Sequence, residues 1–262
     1  MLEQLQTLMR QVAQTEVMPH FLNIEANIKH DGSLFTTADL NAQAALAQGL
    51  QHIIPCPVLG EEMDEQEQRD LWLHNYNGLW IIDPIDGTTN FANGFPHFAL
   101  SVAFVQHGKP VLGMIFNPIN GECFYAEQGK GAFLNGKPLP LQIRNKKLKK
   151  AIAGVEIKYL RSGTLSSRMN TLAPVSSIRS LGCSTLDWCY LAAGRIDVYV
   201  HGGQKLWDYA AGALIFTEAG GLLATLEGDD FWSGEHTFKR SVIAAINPNL
   251  FHHWKNWIRE NQ

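Results

Sequence analysis

The strongest chemical signal in this 262-residue chain is the string Asp83-Pro84-Ile85-Asp86-Gly87-Thr88-Thr89-Asn90-Phe91. It follows the apolar run Leu79-Trp80-Ile81-Ile82. Two carboxylates three residues apart at the C-terminal end of a strand can converge on one point. Pro84 restricts the backbone and biases Asp83 to an extended conformation. Gly87 permits a sharp turn. Thr88 and Thr89 then offer N–H groups and hydroxyls where a helix could begin, and a helix start attracts anions. Carboxylates beside a phosphate repel it unless a cation lies between them. Hard oxygen donors of this kind select magnesium over zinc or copper. On local physics alone the same residues also read as an Asp–Pro turn followed by an Asp N-cap.

Three further acidic segments have their own plain readings. Gly60-Glu61-Glu62 follows Val58 and Leu59, but Asp64, Glu65, Glu67 and Asp70 extend the charge as a solvated surface would. In Trp207-Asp208-Tyr209-Ala210-Ala211-Gly212, the aspartate opens an apolar helix and suits an N-cap. Thr36-Thr37-Ala38-Asp39 suits a helix start.

Taken together and in this order, T-x-A-D, G-E-E, D-P-I-D-G-T-T and W-D-Y-A-A-G, the four segments resemble the inositol monophosphatase family of lithium-sensitive, magnesium-dependent phosphatases. The resemblance runs from about Asp31 to Gly221 and is less sharp beyond. It implies an α/β layered fold, the αβαβα sandwich of the inositol monophosphatase and fructose-1,6-bisphosphatase type. It implies that Glu61, Asp83, the carbonyl of Ile85, Asp86 and Asp208 hold two or three magnesium ions. Thr88 matches the threonine that orients the attacking water, Asp39 its partner, and Glu61 joins them in catalysis. The amides of Gly87 and Thr88 match the phosphate cradle, next to Ile85 and Asp86. Gly182-Cys183-Ser184 match a substrate-facing segment at a helix N-terminus. Inositol-specific members carry a glutamate seven residues before the W-D aspartate, where it holds a polyol hydroxyl. This chain has His201 there, whose ordinary pKa near neutrality predicts a pH-responsive substrate contact.

The implied reaction is hydrolysis of a small phosphate monoester, inositol 1-phosphate to myo-inositol and phosphate, with no phospho-enzyme. Histidinol phosphate, a sugar bisphosphate and a nucleotide 3'-phosphate are the alternative substrates. A non-catalytic regulatory binding protein on the same fold is the reading from another class, and the clustered acids argue against it. Cys183 lacks a C-x5-R sequence, which excludes a cysteine phosphatase. Family resemblance also implies a homodimer.

The elements that must position these residues follow from periodicity. Leu2, Leu5, Leu8, Met9 and Val12 predict an opening amphipathic helix that Pro19 ends or bends. Lys29-His30-Asp31-Gly32 reads as a turn. A second helix starts at Thr36 or Thr37 and runs to about His52, with Leu40, Ala44, Ala47 and Leu50 on one face. Strands are predicted over 79–83, 98–105, 111–116 and 122–127, the last three as an antiparallel meander. Further strands fall at 151–156, 177–180, 196–200 and 241–246, with helices over 185–193, 208–219 and the C-terminus. His201-Gly202-Gly203-Gln204-Lys205 reads either as a segment facing the substrate or as a polar loop with no ligand contact. The chain reads as one unit, 1–262, with a soft subdomain boundary near 144–150.

Composition narrows the class. Apolar residues make up 45%, charged residues 18%, and the net charge is -4, so no global field draws the chain to nucleic acid or anionic membrane. The one basic cluster, Arg144, Lys146, Lys147, Lys149 and Lys150, reads as a solvated loop. Cys56, Cys123, Cys183 and Cys189 form no C-x-x-C pair and predict reduced thiols in a cytoplasmic protein. The polar N-terminus is no signal peptide, and no apolar run is long enough to span a membrane.

Overall fold

The computed structural model describes residues 1–23, 27–28, 34–143, 145–156, 164–232 and 237–262. The turn expected at Lys29–Gly32 and the Arg144 of the basic cluster lie outside them.

The chain opens with α1 (Leu2–Val12), which buries Leu5, Met9 and Val12 and closes through a π-turn and a 3-10 turn containing Pro19. A two-residue antiparallel pair, β1 (Asn27–Ile28) and β2 (Leu34–Phe35), precedes α2 (Thr37–Ile53). The buried stripe of α2 is Ala38, Ala42, Leu46 and Leu50, at steps of four. Of the expected face only Leu50 is buried; Leu40 is 44% exposed and Ala44 is exposed too. Counting from Leu40 selected a stripe rotated off the one that meets the sheet.

Then follow β3 (Val58–Gly60), α3 (Glu65–His74), β4 (Leu79–Asp86), α4 (Thr88–Ala92), β5 (Ala99–Gln106), β6 (Lys109–Asn117), β7 (Glu122–Glu127), β8 (Ala132–Leu134) and β9 (Lys137–Pro138). These seven strands form one sheet in sequence order, parallel only at β3–β4. The meander over β5, β6 and β7 is antiparallel, as expected. The acidic stretch after Glu62 is not merely surface charge, because Asp64 caps α3 by accepting the Gln66 N–H at 2.8 Å.

The second half contains β10 (Ile152–Val155), α5 (Thr164–Leu172), β11 (Ser177–Arg179), α6 (Ser184–Ala192), β12 (Val198–Gln204), α7 (Leu206–Glu218), β13 (Leu222–Ala224), β14 (Arg240–Ala245) and α8 (Pro248–Glu260). A five-stranded sheet orders them β11-β10-β12-β14-β13. The expected 196–200 strand starts at Val198 and runs on to Gln204, so His201–Gln204 is strand with a register shift rather than loop. Within the basic stretch, Lys146 departs from the solvated reading. It pairs with the buried Asp197 at 2.8 Å.

The layers alternate. One apolar cluster joins α1 and α2 to the seven-stranded sheet. A second, with Trp188, Tyr199, Tyr209 and Phe216, fills the space between the two sheets around α6 and α7. A third packs α5 and α8 against the outer face of the five-stranded sheet. α7 buries ten of its thirteen residues, as a helix enclosed between two sheets must. This is the layered α/β sandwich that the sequence predicted.

Candidate functional site

Asp83 and Asp86 both lie in β4, which runs through the whole Asp-Pro-Ile-Asp string. The pairing with β5 shifts register between these two aspartates, a local break that re-aims side chains. Asp83 is 1% exposed. Asp208 approaches from the first turn of α7, where it is the third helical residue and not the N-cap. Lys205 holds the cap, and its N–H donates to Asp208 Oδ2 at 2.8 Å. One carboxylate oxygen each from Asp83, Asp86 and Asp208 lies within 4.8 Å of the others.

The surroundings hold these carboxyls in an unfavourable state. Burial, then the charges of Glu61, Asp86, Asp208 and Asp39, push the Asp83 carboxyl well above its usual range. Asp208 is raised by burial, then by Asp86 and Glu61. Asp86 is raised chiefly by burial, although the Thr185 N–H donates to its Oδ2 at 2.6 Å. Asp83 Oδ2 is buried with no hydrogen-bond partner. Such an atom, amid like charges and hard oxygen donors, fits a divalent cation. Asp83, Asp86 and Asp208 are the residues that could hold it. Glu61 stands outside the tight group, with its charge felt at all three.

A second arrangement lies alongside. Asp39, in the first turn of α2, accepts from the Thr36 N–H at 2.7 Å and the Thr36 hydroxyl at 2.6 Å through Oδ2. Its Oδ1 faces the Thr88 hydroxyl at 3.5 Å, and that hydroxyl donates to the Ile85 carbonyl at 3.0 Å. Asp39, Thr88 and Ile85, separated by up to 49 residues, are thereby brought together. Gly87 turns the chain between Ile85 and α4 with φ of +91°.

The Gly182-Cys183-Ser184 segment closes on the same place. A Cβ on Gly87 would lie 3.3 Å from both Cys183 Cβ and the Gly182 carbonyl oxygen. Cys183 Sγ donates to Asp86 Oδ2 at 3.2 Å, and burial, then Asp86, pushes its thiol well up, as suits an inert hydrogen-bond donor. Ser184 is the first residue of α6.

His201 departs from expectation. Its ring is 1% exposed, and Nδ1 accepts the Gly203 N–H at 3.0 Å. Burial lowers its pKa to about 3, so it is neutral near pH 7 and the expected titration near neutrality is corrected.

Sequence reasoning missed three residues here. Thr185 supplies the amide that holds Asp86; its place one residue after Ser184 at a helix start was the available signal. Asn90 belonged to the quoted string without a role. Its Nδ2 donates to the carbonyls of His97 and Leu181, both at 2.8 Å, tying α4 to the segment before α6. Asp187, 4% exposed with Oδ1 unpartnered, gave no signal beyond being an acid in an apolar helix.

The family model described as the inositol monophosphatase family matches residues 1–258. An inositol-1-monophosphatase of Mesorhizobium japonicum is 34% identical over 240 residues, covering 87% of this chain and 88% of that protein. A Pasteurella multocida protein named Nus factor SuhB is 34% identical over 234 residues, covering 87% and 83%. The solved Thermotoga maritima IMPase superposes with a TM-score of 0.83 at 28% identity, covering 99% of this chain and 96% of that one.

Proposed function

The chain belongs to the inositol monophosphatase family and is a phosphoric monoester hydrolase, and we propose that it hydrolyses inositol 1-phosphate with magnesium. The observation that carries this reading is the convergence of Asp83, Asp86 and Asp208 within 4.8 Å, beside the Asp39–Thr88 pair.

In this reading Glu61, Asp83, the Ile85 carbonyl, Asp86 and Asp208 hold two or three magnesium ions. When bound, magnesium neutralises phosphate charge and acts as a Lewis acid. The Thr88 hydroxyl orients the attacking water, and Asp39 takes the water's proton at Oδ1. The buried Thr36 contacts keep Asp39 Oδ2 engaged, which leaves Oδ1 turned toward Thr88. The N–H groups of Gly87 and Thr88 donate to phosphate oxygens, and Gly182, Cys183 and Ser184 border the leaving group. His201, neutral, buried and held by the Gly203 N–H, brings no fixed negative charge to a substrate hydroxyl.

The same reading includes a cytoplasmic homodimer, inhibition by lithium and folding of residues 1–262 as one unit. No helix among the described residues is long and apolar enough to cross a membrane. The test is phosphate release from inositol 1-phosphate, histidinol phosphate, a sugar bisphosphate and a nucleotide 3'-phosphate, with magnesium and with chelator. The reading expects the highest kcat/KM on inositol 1-phosphate and loss of turnover with chelator. Preference for another substrate would overturn the substrate, and full activity without metal would overturn the cation.

A further inference from the structure

The backbone around Glu61 is held from two sides by glutamine side chains. From α2, Gln43 Oε1 accepts the Glu62 N–H at 3.0 Å. From α3, Gln68 Nε2 donates to the Gly60 carbonyl at 2.8 Å and to the Glu61 carbonyl at 3.2 Å. Gln68 is 4% exposed, a degree of burial rare for a glutamine. Gly60 makes room for the first contact, because a Cβ there would sit 2.1 Å from Gln43 Oε1. Two more bonds complete the clamp: Gly60 N–H to Met63 Sδ at 3.2 Å, and Glu61 N–H to the Ile82 carbonyl at 3.3 Å.

These contacts constrain the peptide units on both sides of one residue, Glu61. The side chains that make them come from two helices, α2, which also carries Asp39, and α3. Both are neutral amides. Either could hold backbone groups here without adding charge beside Asp83, Asp86 and Asp208, where burial and like charges already push the Asp83 and Asp208 carboxyls up.

We infer that Gln43 and Gln68 are positioning residues that aim the Glu61 carboxylate at the cation site. The inference rests on the proposed role of Glu61 as a metal ligand. Neither glutamine touches the reacting groups; each acts through the backbone of Glu61. Partners at one remove from a metal commonly change its affinity by about 10- to 100-fold when altered. The two glutamines also differ in chemistry. Gln43 serves as an acceptor, a role that a glutamate in its place retains. Gln68 serves as a donor to two carbonyls, a role that an ionised glutamate cannot fill.

The test uses full-length wild type, Gln43→Met, Gln43→Glu, Gln68→Met, Gln68→Glu and Glu61→Gln, each stripped of metal and titrated with magnesium chloride. Two readouts are followed: phosphate release from inositol 1-phosphate, and the rise in melting temperature with magnesium, which needs no substrate. Gln43→Met, Gln68→Met and Gln68→Glu are expected to raise half-saturating magnesium about tenfold in both readouts. Turnover at saturating magnesium stays within about threefold of wild type. Gln43→Glu is expected not to raise half-saturating magnesium, because the acceptor is preserved and the added negative charge favours a cation. A lower metal-free melting temperature with unchanged magnesium dependence would assign the amides a structural role only and overturn the inference. Equal impairment by Gln43→Glu and Gln43→Met would overturn the acceptor role of Gln43. If Glu61→Gln shifts magnesium dependence and the glutamine variants do not, only the positioning role falls. If Glu61→Gln leaves it unchanged, Glu61 is no ligand and both readings fail.

Discussion

At Asp83, one carboxylate oxygen is buried without a hydrogen-bond partner and surrounded by like charge. Replacing Asp83 or Asp208 by Asn is expected to lower turnover by about a hundredfold or more, as loss of a preorganised charged group does. Steady-state rates at saturating magnesium check this, and near-normal turnover would remove the residue from the site. Asp83→Asn has a second consequence. The folded-state pKa of Asp83 lies above its unfolded value, so the metal-free native state binds the extra proton. Its stability is greatest below the unfolded pKa and falls as pH rises toward the folded pKa, by about 1.4 kcal/mol per unit crossed. Metal-free Asp83→Asn therefore unfolds less readily than metal-free wild type near neutral pH, and urea midpoints across pH measure it. His201 works in the opposite direction. Its folded pKa is about 3 against an ordinary 6.5, so the unfolded chain takes up a proton first. Stability is unaffected above about pH 6.5 and is lost as pH falls from there toward 3, again by about 1.4 kcal/mol per unit. His201→Asn, whose side-chain oxygen can accept the Gly203 N–H in place of Nδ1, should flatten that acid slope. An unchanged slope would mean that His201 is not held neutral by the fold.

Among the elements, those with a strong local pattern were readable and those defined by their neighbours were not. α1 carries its buried positions at helical spacing, and β5, β6 and β7 are apolar runs bounded by turn residues. The stripe of α2 was misread because alanines flank both candidate faces, and only contact with β4 and α1 distinguishes them. Two substitutions separate the faces. Leu46→Ala should cost about 2–5 kcal/mol through the cavity it leaves, whereas Leu40→Gln should stay within about 0.5 kcal/mol. Comparable costs from denaturant melts would restore the original face. β12 was cut short at Val200 because the Gly-Gly pair that follows His201 resembles a loop. Pairing with β14 holds it in strand conformation regardless. The short strands β8, β9 and β13 carry too few residues to show any period. Gly87 is an element boundary whose requirement is explicit. At φ of +91°, a Cβ would lie 3.1 Å from the His97 carbonyl oxygen. Gly87→Ala should cost about 1–2 kcal/mol in left-handed backbone strain alone, and a larger share of turnover, since α4 carries Thr88. Stability kept within error would show that α4 can reset its entry.

Across the whole molecule, the candidate site draws on both sheets, and here local motifs carried more information than their spacing suggested. Each acidic segment had a plain reading as a cap, turn or surface patch, and several of those readings are also true. Asp39 and Asp208 both accept cap hydrogen bonds in the first turns of their helices. What one segment alone could not reveal is the convergence, because it depends on α7 lying between the sheets with its start against β4. The ties across the halves are specific: Asp86 to the Thr185 N–H, and Asn90 to the Leu181 carbonyl. The central apolar cluster also takes residues from both sheets. A change in sheet membership near 144–150 therefore need not be a change in cooperative unit. Trp80 in β4 and Trp254 in α8 report on the two outer layers, both fully buried. With 5-fluorotryptophan incorporated, their fluorine resonances can be followed through a urea titration. One cooperative unit requires coincident loss of both native signals, without magnesium and with it. If, as proposed, magnesium binds the native state at a site that spans the halves, it should move both midpoints upward together. Separate midpoints would sink the single-unit reading. A magnesium shift confined to Trp80 would also show that Asp208 does not share the cation with Asp83 and Asp86.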